Sequence, residues 1–64
     1  MKVKYDTQLD ILRIRFSEKL VAESDEDRNG IIIDYDEDGK ILGIEILSAS
    51  LQITNPKLVE YEVA

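Results

Sequence analysis

Alternation of apolar and polar side chains is the clearest pattern along the chain. Val3 and Tyr5 alternate with Lys2 and Lys4. After Asp6-Thr7-Gln8-Leu9-Asp10 a second alternating run follows, Ile11-Leu12-Arg13-Ile14-Arg15-Phe16. Leu12, Ile14 and Phe16 share one face of that run, and Arg13 and Arg15 share the other with Ile11, which predicts a strand, a turn and a strand with one dry side. Leu20-Val21-Ala22-Glu23 is a weaker strand candidate, lying between Ser17-Glu18-Lys19 and a charged stretch from Ser24 to Arg28.

Two β-branched runs follow, Ile31-Ile32-Ile33-Asp34-Tyr35 and Ile41-Leu42-Gly43-Ile44-Glu45-Ile46-Leu47, separated by acidic turn residues that end in Gly39. They predict a β-hairpin. A two-residue turn at Asp38-Gly39 would pair Tyr35 with Leu42, Ile33 with Ile44 and Ile31 with Ile46, one uniformly apolar face. A three-residue turn, Glu37-Asp38-Gly39 with a glycine bulge, would instead set Ile33 against Gly43 and Ile31 against Glu45. The apolar pairing favours the two-residue turn. Gly43, inside a strand, predicts a close backbone approach, a bend or a large cross-strand neighbour.

Ser48-Ala49-Ser50-Leu51-Gln52-Ile53 can form one helical turn capped by Ser48 or Ser50, ended by Thr54-Asn55-Pro56. Residues 57–64 alternate again, with Val59, Tyr61 and Val63 on one side, which predicts a final edge strand able to join its own sheet or a neighbour's. The expected fold is mainly β (α+β at most): a small antiparallel sheet built from hairpins, five or six short strands, and one short helical turn near the C-terminus. There are no internal repeats and no linkers.

Composition sharpens this picture. The 64 residues make one small domain, and 20 of them are Ile, Leu or Val, enough for one compact core. A core of this size supplies only a few kcal/mol, so self-association into a dimer or larger is the expected supplement. Absence of cysteine removes thiolate chemistry and structural zinc, and absence of histidine leaves Ser17, Ser24, Ser48 and Ser50 without the commonest activating base. Pairs such as Asp6 with Asp10 sit in turns, where solvent holds both ionised, so no enzyme is expected and no catalytic residue is assigned. Asp6 and Asp10 read as caps of the first turn. No apolar run reaches the ~18 residues of a membrane span, and Met1-Lys2-Val3-Lys4 lacks a signal-peptide apolar region, so the expectation is a cytoplasmic protein without membrane contact.

Charge is unevenly placed. Net charge is −6 overall, but residues 23–38 hold eight acids against Arg28, or −7, leaving +1 for the rest. Glu23, Asp25, Glu26, Asp27, Asp36, Glu37 and Asp38 are the candidate residues for docking a basic protein partner. Direct nucleic-acid binding is not expected, since it needs a basic stripe and only Lys2, Lys4, Arg13 and Arg15 come near one. Asp34-Tyr35-Asp36-Glu37-Asp38-Gly39 followed by Glu45 matches the calcium-loop spacing D-x-D-x-D-G-x5-E, making Asp34, Asp36, Asp38 and Glu45 an alternative cation site. Such loops lie between helices, whereas these flanks read as strands, so no cofactor is expected and calcium stays the alternative. A structural homo-oligomer joined through the tail strand is a further alternative.

Taken in order, Tyr5-Asp6-x-x-x-Asp10-x-Leu12-x-Ile14-x-Phe16, Glu23-Ser24, and Gly30-Ile31-x-x-Asp34-Tyr35-Asp36-x-Asp38-Gly39-x-x-x-Gly43-Ile44-Glu45-Ile46-Leu47 closely resemble the small prokaryotic family called domain of unknown function 2283, DUF2283. The resemblance covers residues 1 to about 50 and leaves 51–64 as a C-terminal extension. It implies a short, β-rich protein with no established activity, and an antitoxin-like role by association with small toxin-like neighbours. Arg13 stands where the family usually has an aromatic or apolar residue, and Ser48 where it usually has an acid.

Overall fold

A computed structural model describes residues 1–64. Five strands form one antiparallel sheet: β1 (Lys2–Asp6), β2 (Ile11–Arg15), β3 (Glu23–Glu26), β4 (Ile31–Tyr35) and β5 (Ile41–Ile46), followed by the one-turn helix α1 (Ala49–Gln52). Spatial order is β1-β2-β5-β4-β3. The β1–β2 hairpin is thus joined to the β3–β4–β5 meander through β2 and β5, and residues 16–22 carry the chain from one half of the sheet to its far edge.

Registers sort the side chains onto two faces. Val3, Ile14, Ile44 and Ile33 line up across four strands, as do Tyr5, Leu12, Ile46 and Ile31 in the adjacent row. Both rows therefore project to one apolar face. Rows between them carry Lys4, Arg13, Glu45, Ile32 and Glu26, then Lys2, Arg15, Gly43, Asp34 and Ser24. The second face is polar, basic towards β1 and acidic towards β3. A single sheet cannot cover its own apolar face, and only Leu12, Leu42, Gly43, Ala49 and Asp36 are buried.

The β4–β5 hairpin satisfies both competing demands on its register. Its turn is the three-residue form, not the two-residue form that pattern favours: Asp36 N–H donates to the Lys40 carbonyl at 2.9 Å, Gly39 N–H donates to the Asp36 carbonyl at 3.0 Å, and Gly39 has φ 81°. Tyr35 accordingly pairs with Ile41 rather than Leu42. An irregularity between Asp34 and Tyr35 then shifts the ladder by one residue, restoring Ile33 opposite Ile44 and Ile31 opposite Ile46 as the apolar pattern requires. Leu42 is the residue left over. Its side chain is 1% exposed, and its carbonyl accepts from Phe16 N–H at 2.7 Å. Apolar pairing fixes the ladder, and a bulge absorbs the mismatch with the glycine turn.

Gly43 stands where a close approach is needed. A Cβ there would lie 2.8 Å from the Ile14 carbonyl oxygen of the neighbouring strand, closer than packing permits.

Three expectations need correction. The strand expected over Leu20-Val21-Ala22-Glu23 forms three residues later, as β3 over Glu23–Glu26. No sixth strand exists, because residues 53–64 contain no strand despite their alternation. The helical turn is present, but neither Ser48 nor Ser50 caps it with its side chain: Ser48 is left-handed, with φ 50°, and the cap comes from the first hairpin turn.

Candidate protein-binding surface

Three hairpin turns open with an aspartate whose carboxylate accepts backbone N–H groups, the arrangement that lets a short side chain stand in for a missing turn partner. Asp6 Oδ1 accepts from Gln8 and Leu9 at 3.0 and 2.9 Å. Asp27 Oδ1 accepts from Asn29 and Ile31 at 2.8 and 3.0 Å. Asp36 Oδ1 accepts from Asp38 and Lys40, both at 2.9 Å. For Asp36 the Lys40 N–H is the leading cause of a carboxyl pKa held below its usual value, helped by the Asp38 N–H and by nearby Lys19 and Lys40 and opposed by desolvation. Asp6 is lowered for the same reason, led by the Leu9 N–H.

Asp10 differs in reach. It is a non-glycine residue at φ 55°, a conformation aspartate tolerates better than most. Its side chain caps α1 instead of its own turn: Oδ1 accepts from Ser50 N–H at 2.9 Å, Oδ2 accepts from the Ser50 hydroxyl at 2.6 Å, and its main-chain oxygen accepts from Ala49 N–H at 2.9 Å. The Tyr5 hydroxyl donates to Oδ1 at 2.6 Å. These bonds, led by the Ser50 hydroxyl, hold the Asp10 carboxyl below its ordinary range, and the same carboxylate raises the Tyr5 phenol. Sequence spacing gave no sign of a cap supplied from 40 residues away.

The candidate docking residues thus divide into two groups. Asp27 and Asp36 are committed to turn backbones. Glu23, Asp25 and Glu26 lie on β3, an edge strand whose four residues are all exposed, and Glu37 and Asp38 are exposed at the tip of the β4–β5 turn. None of these five belongs to an ion pair; the ion pairs are Arg13 with Glu45 at 3.0 Å and Arg15 with Glu18 at 4.0 Å. Beside the tip, residues 19–22 form the other wall of a shallow groove bounded by Asp36, Glu37 and Asp38. Leu20 in that wall is 90% exposed, an apolar anchor point next to an acidic rim.

Asp34, Asp36, Asp38 and Glu45 are not brought together. Asp34 accepts from the Ser24 hydroxyl at 2.5 Å, Asp36 serves its turn, Asp38 projects from the tip, and Glu45 lies beside its cross-strand partner Arg13. The Arg13 Nε–H does not point along that 3.0 Å contact, so it is a charge contact and not a hydrogen bond. No three acidic side chains in the molecule converge as a cation site would require. No helix is long and apolar enough to cross a membrane.

One antiparallel sheet with an uncovered apolar face, tight aspartate turns and an acidic edge defines the class as a small single-layer β protein. The chain belongs to the family described as protein of unknown function (DUF2283), whose sequence model matches residues 2–50. That match spans all five strands and the start of α1, and leaves the irregular tail outside. No curated protein and no solved structure matches the chain.

Proposed function

We propose that this protein is a non-catalytic binding module that presents β3 and the β4–β5 tip to a basic protein partner, in a regulatory or antitoxin-like role in the cytoplasm. The observation carrying this reading is that Glu23, Asp25, Glu26, Glu37 and Asp38 are exposed and unpaired, while the other two acids of the cluster are spent on turns. β3 also has a free backbone edge, so an extended basic segment could add to the sheet with its cations against the carboxylates. Leu20 beside the tip offers the apolar contact that a charged rim alone lacks.

The test is capture of partners by the tagged chain at low salt, followed by mass spectrometry. A stoichiometric basic protein released by salt is the expected result. The doubly reversed variant Glu26→Lys/Asp38→Lys should slow its association by about tenfold or more at low salt. If association is unchanged by that reversal, the acidic residues serve solubility alone and the reading fails.

A second reading, self-association, is favoured by a specific observation: only five of 64 residues are buried, fewer than a stable isolated core needs. In the single chain the tail forms no strand, so its contribution to an interface rests on what a second copy supplies.

A further inference from the structure

The accessible surface is 5189 Å², whereas a compact monomer of 7.3 kDa exposes about 4,200 Å². The excess, roughly 1,000 Å², matches one partner's share of a standard interface, ~800 Å². Much of it is apolar. Ile31, Ile33 and Ile44 on the apolar face keep contact with solvent, and in the tail Leu58, Tyr61 and Val63 are 59%, 74% and 81% exposed.

Charge restricts how a second copy can approach. The edges of the sheet are β1, carrying Lys2 and Lys4, and β3, carrying Glu23, Asp25 and Glu26. Twofold pairing of β1 with β1, or of β3 with β3, sets like charges against each other. Pairing β1 with a neighbour's β3 matches charge, but it repeats head to tail and leaves the assembly open. The apolar face is what remains for a closed dimer. On that face Pro56, Lys57 and Val59, at the start of the tail, border a depression with Val3, Tyr5 and Leu12 of the β1–β2 half.

We propose that two copies stack apolar face on apolar face about a twofold axis parallel to the strands, so that β1 and the tail of one copy lie over β3 and β4 of the other. This rests on the self-association reading above. The alternative axis, across the strands, brings each β3 over its counterpart, opposing Glu23 and Asp25 with the same residues, and sets tail against tail. With the axis along the strands, Asp25 faces Val3 of the other copy instead of its own counterpart, and Lys2 and Lys4 point to the outer face, so the open half is filled and the carboxylate repulsion avoided in the same arrangement.

The chain has no cysteine, so single cysteines report cleanly. Light scattering on the free chain should give twice the chain mass. A tagged Val3→Cys chain mixed with an untagged Asp25→Cys chain should be joined by a bis-maleimide of about 10 to 15 Å reach, chosen for the ~10 Å spacing of stacked sheets, and neither chain should join to itself. Self-joining of Asp25→Cys, no joining in a dimeric sample, or a monomeric mass at hundreds of micromolar would each overturn the arrangement. As an independent check, Ile33→Lys on the apolar face should halve the mass with the circular dichroism of the sheet retained, and Ile32→Lys on the opposite face should not. Equal behaviour of these two variants would overturn the assigned face. All these readouts use the free chain, so they stand or fall separately from binding of a basic partner.

Discussion

The β3–β4 and β4–β5 hairpins are closed by the same turn in different surroundings. Asp27-Arg28-Asn29-Gly30 and Asp36-Glu37-Asp38-Gly39 both open with an aspartate that accepts two backbone N–H groups, and both end on a left-handed glycine, with φ of 82° and 81°. The first is anchored from outside. Leu47 N–H donates to the Gly30 carbonyl at 2.8 Å, and the Gln52 side-chain amide donates to the Asn29 and Leu47 carbonyls at 2.8 and 3.0 Å. Around Gly39 nothing lies within 4 Å of where a Cβ would be. Identical local chemistry therefore gives one turn that helps dock the segment after β5 and another whose tip is free to meet a partner.

Alanine substitution separates the two turns, with Gly43 as the upper reference. Gly43→Ala should cost most, about 2 to 3 kcal/mol, because the new Cβ meets a backbone carbonyl that cannot turn aside. Gly30→Ala should follow at about 2 kcal/mol, combining left-handed strain with a Cβ only 3.3 Å from Leu47 Cβ. Gly39→Ala carries the strain alone, about 1 kcal/mol. Thermal melts resolve these steps, since 1 kcal/mol shifts Tm by roughly 4 to 8 °C in so small a domain. Equal losses at Gly30 and Gly39 would mean that the anchoring contacts around the first turn contribute nothing.

Gln52→Ala tests the anchor directly. Losing two side-chain hydrogen bonds at an exposed site should cost about 1 kcal/mol, and amide exchange should quicken at Gly30 and Ile31 while Lys40 keeps its protection. Faster exchange at both turns would show that they open together.

Acid should act on the second turn in a definite direction. The Asp36 carboxyl is held below its ordinary value of 3.8, first by the Lys40 N–H. A lowered folded-state pKa means that its stabilisation is fully present above the unfolded value and is lost as pH falls through the folded one. Asp36→Asn keeps an acceptor without a titrating proton, so denaturation midpoints below pH 3.8 should fall less steeply for the variant than for the parent chain. Parallel curves would remove Asp36 from the acid response. Tyr5 works in the opposite sense: its raised pKa keeps a contribution intact up to the usual 10.0 and loses it above.

How much of this could be read in advance differs by element. β1, β2, β4 and β5 and their apolar pairing follow from alternation, because a slip of one residue would turn every isoleucine to water. Asp-x-x-Gly at both turns was available in the sequence and would have placed the β3–β4 turn, and so β3, in the charged stretch; propensity alone favours Leu20-Val21-Ala22 instead. β3 forms from Glu-Ser-Asp-Glu because β4 supplies the ladder, a tertiary effect that local composition does not carry. The tail shows the converse. Its alternation is genuine, but with both sheet edges left unjoined to it no ladder forms, and a strand pattern without a neighbour has nothing to bond. Asp10 was legible as a turn residue but not as the cap of α1, since that contact exists only once β5 returns beside β2. Among the acids, side-chain type alone could not tell those committed to backbone from those left free; the three-residue spacing of Asp27 and Asp36 to their turn glycines does.

Calcium should produce the smallest effect, and it probes the same division between committed and free carboxylates. The string from Asp34 to Glu45 has the spacing of a calcium loop, but a cation there would have to detach Asp34 from Ser24, Asp36 from two backbone N–H groups and Glu45 from Arg13. The converging oxygens that hold such an ion at 2.3 to 2.6 Å are not assembled by a flat hairpin that sends alternate residues to opposite faces. Titration to millimolar calcium followed by amide chemical shifts should therefore give only small, unsaturating drifts at Glu37 and Asp38, where exposed carboxylates attract any cation, and no change at Asp34 or Glu45. Saturable shifts at all four positions Asp34, Asp36, Asp38 and Glu45 would show that the second turn is built for an ion and not for a partner.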